Sequence, residues 1–294
     1  KNIKIKFEDL PTWFKVKTIS LSNYEKNKFL NNYFQEPDMH IAFKNKDSIN
    51  NFEEKLIKTS DVSGFLKNKK NITDKKSFKR GDWWVQDFSS FFPLHNLQIK
   101  DHNKNILDAC SAPGGKSFQL LSKGFNVTLN DKSKSRIKIL RSNLKRLRLK
   151  CEIFNNDFTK FEESKNYDLI IIDAPCSAVG TIRKNPEIFF KNKGPDFENL
   201  VKLQEDLLQK ATNMLTQNGL ILYMVCSFLN VETTDQVERF LKKNKRFQLS
   251  NFKLIQENSS YSNLIRNNFM ITLPNTIFNN HIDGYFAAVL KKIK

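Results

Sequence analysis

Acidic residues are scarce in this 294-residue chain: 31 Asp and Glu stand against 49 Lys and Arg, a formal charge of +18. Such an imbalance strains a compact fold by self-repulsion unless a polyanion or salt screens it. Nucleic acid is the partner this charge points to, because Lys and Arg neutralise phosphates whatever the base sequence. An AT-rich coding sequence also yields much Lys, Asn and Phe, so charge alone decides nothing. Cysteine is sparse too, with Cys110, Cys151, Cys176 and Cys226. No C-x-x-C pair occurs and the 4 histidines lack ligand spacing, so no metal is expected. Long apolar stretches are missing: Leu169–Ile172 suits a buried strand and falls far short of the roughly 20 residues of a membrane span. Neither membrane insertion nor a secretory leader is expected, and free thiols then fit a reducing cytoplasm. The first residue is Lys1 rather than methionine, which leaves room for a preceding segment.

What is present falls into two parts. Residues 1–80 are Lys/Asn-rich with short apolar clusters. Within them Met39–Phe43 reads as a strand, Ile49–Ile57 as a short helix, and the basic run Lys67–Lys79 as a solvated loop or hairpin. From Gly81 to Lys294 strands alternate with amphipathic helices. Strands are expected at Asn105–Asp108, Val127–Leu129, Cys151–Phe154, Leu169–Ile172, Leu220–Val225 and Tyr285–Leu290. Ile137, Leu140, Leu144 and Leu147 mark one helix, and Leu200 to Leu215 another, with Asn218-Gly219 as its C-cap. The pattern predicts an α/β fold with a mostly parallel sheet covered on both faces, preceded by a small α+β subdomain.

In such sheets ligands bind beyond the carboxyl ends of the strands. Four predicted strands end near an acidic residue, Asp108, Asp131, Asp157 and Asp173, and a fifth ends at Cys226. Single carboxylates there are often helix caps; four in succession are harder to dismiss. The turn Asp108-Ala-Cys-Ser-Ala-Pro-Gly-Gly-Lys116 matches neither G-x-G-x-x-G nor the P-loop, which disfavours a pyrophosphate. Its glycines let backbone approach a ligand. Asp131 is placed for ribose hydroxyls and Asp157 for an adenine amino group. Together they read as a nucleoside without a diphosphate, which suits S-adenosyl-L-methionine.

Asp108-x-Cys110-x-Ala-Pro-Gly-Gly-Lys116, Asp173-Ala-Pro-Cys-Ser-Ala-x-Gly180 and Cys226-Ser227 resemble the RNA cytosine-C5 methyltransferases of the Sun/Fmu family, and most of all their bacterial 16S rRNA subgroup. Trp84-Val-Gln-Asp87 with Ser89-Ser90, Ile182-Arg-Lys-Asn-Pro-Glu187 and Asp283-Gly-Tyr-Phe286 resemble further family segments, as Pro11–Phe14 and Glu36–Met39 do more weakly. The resemblance implies a Rossmann-like S-adenosylmethionine-dependent methyltransferase fold with an N-terminal RNA-binding subdomain in 1–80 and a catalytic domain in 81–294. It implies that Cys110, Ser111, Ala112, Pro113, Gly114, Gly115, Lys116, Asp131, Asp157 and Asp173 contact the methyl donor.

Methylating carbon 5 of cytosine needs a thiolate to add at carbon 6, which makes carbon 5 nucleophilic; loss of the carbon-5 proton then releases the thiol. Cys176, after Pro175, and Cys226 are both candidates, and a basic setting is expected to favour the thiolate. The resemblance assigns the attack to Cys226, product release to Cys176 and the ring edge to Asp173. Cys110 and Cys151 read as structural. Arg183, Lys184 and the helix spanning Arg136–Arg148 are expected to grip phosphates of ribosomal RNA. Trp83, Trp84, Phe91 and Phe92 could stack on bases, although core packing suits them better. A cytoplasmic monomer is expected. The rivals are an RNA-binding ribosome assembly factor of the same fold without turnover, and a cytosine methyltransferase acting on tRNA or DNA.

Overall fold

The computed structural model describes residues 6–293 apart from 34, 37, 68, 100, 192, 253–260, 262 and 278–279. Pro37 of the Glu36–Met39 segment and Asn68 of the basic run therefore lie outside the described residues. Helices α1 (Thr12–Lys17) and α2 (Asn23–Tyr33) precede a small antiparallel sheet. That sheet has β1 (Met39–Phe43), α3 (Lys46–Asn50), β2 (Leu56–Ser60), β3 (Ser63–Leu66), α4 (Lys76–Arg80) and β4 (Trp83–Val85), with strand order β2-β3-β1-β4.

Three expectations shift here. The helix expected over 49–57 lies earlier, because Asn45 caps it by accepting from the Ser48 amide, and Leu56 already begins a strand. The basic run is not a plain loop, since it contains α4, closed by Gly81 at φ +78°. The break expected between 80 and 81 falls short of the sheet's last strand: β4 pairs with β1 through Phe43 and Trp83.

α5 (Phe88–His95) leads into the large sheet, β5 (Asn105–Asp108), α6 (Gly115–Leu121), β6 (Asn126–Asn130), α7 (Lys134–Leu147), β7 (Glu152–Phe154), β8 (Tyr167–Asp173), α8 (Phe197–Thr212), β9 (Leu215–Val225), α9 (Thr234–Lys243), β10 (Phe247–Ser250), β11 (Ile265–Arg266), β12 (Phe269–Thr272), β13 (Asn275–Ile277), β14 (Asn280–Ile282) and β15 (Tyr285–Lys292). Its order is β11-β12-β15-β9-β8-β5-β6-β7, with β10 also on β15, while β13 and β14 pair with each other. β5 to β9 run parallel and β15 is antiparallel to β9. The chain order reverses between β5 and β8, which opens a crevice at their carboxyl ends.

Alternation along the central strands covers both faces. Ile171, Leu222 and Met224 pack into one core, Ile170, Ile172, Ile221 and Tyr223 into the other. The first core also holds Ala42, Phe65 and Trp84 of the small sheet. A third cluster joins Phe14 and Phe29 of the N-terminal helices to Val179, Ile182 and Phe228.

The expected C-cap Asn218-Gly219 is a correction. α8 ends at Thr212 and Leu215 already pairs with Tyr167, whereas Leu220 pairs with Leu169. Asn218, at φ +62°, thus carries extra residues out of the ladder inside β9.

Candidate active site

The predicted carboxylates and thiols converge at that crevice. Asp108 and Asp173 are the last residues of β5 and β8, Asp131 follows β6, and Cys226 follows β9. Gly114, at φ +117°, begins the turn into α6; a Cβ there would meet the Phe118 ring at 2.1 Å. The turn is tied to β6, where the Ser111 amide donates to the Asn130 carbonyl at 2.9 Å and the Ala112 amide to Asp131 Oδ2 at 3.1 Å. Asp131 also accepts from the Ser133 amide at 2.9 Å and pairs with Arg136 at 3.5 Å, so acceptor capacity remains on its carboxylate. Asp157 caps a short turn, its Oδ1 accepting from Thr159.

Two cavities meet at this end of the sheet. One, of about 220 Å³, is bounded by Cys110, Asp131, Asp157, Pro175 and Leu203. The other, of about 270 Å³, is bounded by Gln86, Asp87, Ser111, Lys116, Asp283 and Tyr285. Cys110, Asp173 and Cys226 line both. Lys116 Nζ donates to Asp173 Oδ2 at 2.6 Å and to Ser90 Oγ at 2.9 Å, and the Tyr285 hydroxyl donates to Asp173 Oδ1 at 2.7 Å. Asp108 Oδ2 accepts from Ser117 Oγ at 2.6 Å, while among the described residues its buried Oδ1 makes no hydrogen bond of ordinary geometry. Burial above all pushes the Asp108 carboxyl up to about 7.

The sulfurs of Cys176 and Cys226 lie 3.2 Å apart. Their setting is only partly the basic one expected: Lys132 and Arg136 line the cavity both sulfurs share, but acidic groups stand there too. Asp173 lines the same cavities, Glu232 lies behind Cys176, and Cys176 is held well above the ordinary thiol range by its bond to Cys226 and by burial. Burial likewise raises Cys110, and it lifts Cys151 to about 11, which fits inert thiols.

This arrangement can hold a small polar nucleoside in one cavity and present a planar ring to a thiol in the other. A profile described as 16S rRNA methyltransferase RsmB/F matches residues 95–291. The chain belongs to the RsmB/F family. The ribosomal RNA small subunit methyltransferase B of Shewanella oneidensis is 33% identical over 238 residues, 79% of this chain and 53% of that one. Its namesake from Pasteurella multocida is 31% identical over 234 residues, 76% and 50% respectively. The chain therefore spans about half the length of the curated relatives it matches. The structure of NSun6 from Pyrococcus horikoshii superposes with a TM-score of 0.82 at 16% identity, covering 98% of this chain and 100% of that one. A methyltransferase homologue from the same organism gives 0.72 at 20% identity, covering 95% and 94%. The fold is the Rossmann-like one of S-adenosylmethionine-dependent methyltransferases.

Within this RsmB/F chain two expected RNA contacts are spent internally. The Arg183 side chain is wholly buried and donates to Asp283 Oδ1 at 3.3 Å, so it cannot grip a phosphate as expected. Lys184 bridges Asp87 at 2.9 Å and Asp283 at 2.5 Å. Burial opposes its charge, yet the two carboxylates hold the ammonium up at about 12. Trp83, Trp84, Phe91 and Phe92 are all buried, which leaves them to the core rather than to bases. On α7, Arg136 donates to the Ala112 carbonyl, and Arg146 donates to the Phe78 and Trp83 carbonyls at 2.9 and 3.0 Å; Lys138 and Arg141 remain exposed. Sequence reasoning missed Ser90, Tyr285, Gln204 and Glu232. Tyr285 and Ser90 lay in motifs already singled out.

Proposed function

We propose that this chain transfers a methyl group from S-adenosyl-L-methionine to carbon 5 of a cytosine in 16S ribosomal RNA, through a covalent bond between Cys226 and carbon 6. The observation that carries the reading is the thiol of Cys226 at the junction of two cavities, one rimmed by the carboxylates Asp131 and Asp157, the other by Gln86 and Tyr285. The buried Asp108 Oδ1 and the acceptors of Asp131 and Asp157 suit the amino and hydroxyl groups of the donor, and Cys110 to Lys116 form its cradle. The donor supplies an electrophilic methyl group.

Cys226 attacks carbon 6 as a thiolate, forming the sulfur–carbon bond and pushing the ring electrons toward carbon 5. Asp173 orients the ring edge, its carboxylate held by Lys116 and Tyr285 while lone pairs remain. Carbon 5 then takes up the methyl group, whose bond to the donor sulfur breaks with its electron pair left on that sulfur. Loss of the carbon-5 proton to a base expels Cys226 as thiolate, and Cys176, 3.2 Å away, assists that release. A cytosine stacked in a helix must first be flipped out or lie in a single strand.

RNA is held by the charge of the whole surface, including exposed Lys138 and Arg141 on α7 and Lys67, Lys76 and Arg80 beside the small sheet. Residues 1–80 serve RNA binding and 81–294 the chemistry, although β4 joins the former sheet. The chain acts as a monomer in the cytoplasm.

Bisulfite sequencing of 16S rRNA from cells with and without the gene tests the reading. One cytosine should be protected only when the gene is present, and Cys226→Ala should abolish that protection. Normal protection with Cys226→Ala would refute the mechanism.

A further inference from the structure

Glu232 lies between β9 and α9, within a short helical turn, and is completely buried. Among the described residues no cation pairs with its carboxylate. Its partners are the turn that carries Cys176: the Ser177 amide donates at 2.8 Å and Ser177 Oγ at 2.5 Å. Gln204 on α8 donates to Glu232 Oε1 at 3.1 Å and to the Pro175 carbonyl at 3.0 Å, so both neighbours of Cys176 are gripped. Tyr223 on β9 completes the clamp by donating to the Glu232 carbonyl at 2.8 Å.

The same clamp reaches the second thiol. Ser177 Oγ lies 3.4 Å from Ser227 Oγ, next to Cys226, and the Gly180 amide donates to the Cys226 carbonyl at 3.0 Å. A clamp needing only hydrogen bonds could be built from a neutral amide. A buried carboxylate with no cation beside it costs more by desolvation than such an amide. Its bonds to the backbone and hydroxyl of Ser177 set that charge directly behind Cys176, which gives the charge a use.

We propose that Glu232 is a positioning residue for the thiol pair, locking the two cysteine turns together and keeping the Cys176 proton on its own sulfur, so that Cys226 is the sulfur left to give up its proton to solvent and attack. Cys226, Glu232, Tyr223 and Asp173, all neutral or negative, face Cys176, while Lys132 and Arg136 line the same cavity and Arg136 is paired with Asp131. The cations Lys116 and Arg239 are engaged with Asp173 and with the Val231 carbonyl. A thiol among such neighbours keeps its proton. It then donates a weak hydrogen bond to the Cys226 sulfur, and no covalent bond is made or broken in this resting arrangement.

The inference rests on the proposed methyl transfer for its purpose, yet its test needs no RNA. The whole chain is alkylated with iodoacetamide across a pH series, and modification of each cysteine is followed by peptide mass spectrometry. Cys226 should react at lower pH than Cys176. In Glu232→Gln the Cys176 profile should move down by about one pH unit, because a like charge has been removed, and the preference for Cys226 should shrink. Ser177→Ala removes one bond of the clamp and keeps the carboxylate, so it should loosen the fold without moving the profile.

Superimposable profiles in Glu232→Gln and the parent would overturn the proposal. So would a Ser177→Ala profile displaced as far as that of Glu232→Gln, since packing rather than charge would then set the order. If Glu232→Gln does not fold, the parent alone decides: Cys176 reacting first sinks the idea. Absence of rRNA methylation by the parent would defeat the functional reading and leave the thiol order to stand or fall by itself.

Discussion

Asp108 illustrates how one side chain links burial to pH. Its carboxyl is raised to about 7 from an ordinary 3.8, chiefly by burial. The native state therefore keeps a proton that the unfolded chain has already released, and stability falls as pH rises through that interval, then levels off above it. Asp108→Asn has no such proton. Its thermal stability should change less between pH values at the two ends of the interval than the parent's does, by an amount on the order of a few kcal/mol. Equal pH dependence in the two proteins would show that Asp108 ionises freely. At this scale the sequence disclosed groups that sit in contiguous motifs, including Cys226, Asp173 and Lys116. It did not disclose Glu232, whose partners Ser177 and Gln204 lie 55 and 28 residues away and whose surroundings read as an ordinary helix start. Arg183 misled for a related reason: a guanidinium in a loop looks available until Asp283, 100 residues on, is seen to hold it.

Elements add a constraint of close approach. A Cβ on Gly180 would lie 1.8 Å from the Gly284 carbonyl oxygen, where the turn after Cys176 meets the start of β15. The Gly284 amide donates to the Gly180 carbonyl at 2.8 Å, and the Gly180 amide holds the Cys226 carbonyl. Gly180→Ala should lower stability in urea unfolding by about 1–3 kcal/mol, as overpacking does, and should reduce methyl transfer more than donor affinity. A fully stable variant would mean that the two turns part easily. Central strands were legible because runs such as Leu169–Ile172 are buried on both faces. Strands β2, β3 and β10 to β14 were not, being short and mixed in polarity. Asn218-Gly219 deceived because the same dipeptide that ends helices also supplies left-handed backbone to a bulge.

For the molecule as a whole, the charge of +18 sets the response to salt. Affinity for 16S rRNA fragments should fall by about 10³ or more between 50 and 200 mM salt if six or more phosphates are neutralised, whereas donor affinity should barely move. Filter binding and calorimetry would measure the two. An RNA affinity indifferent to salt would place the basic surface outside the interface.

The core shared by Ala42, Phe65, Trp84, Phe88 and Ile106 has a further consequence. Arg146 rides on the Phe78 ring at 3.8 Å and bonds two carbonyls of the smaller unit, so the seam between the two sheets is dry on one side and charged on the other. Neither half can be cut away as a module. A fragment lacking the first eighty residues would bare Trp84, Phe88 and their neighbours to water and take the Phe78 ring and carbonyl from Arg146, leaving it only the Trp83 carbonyl.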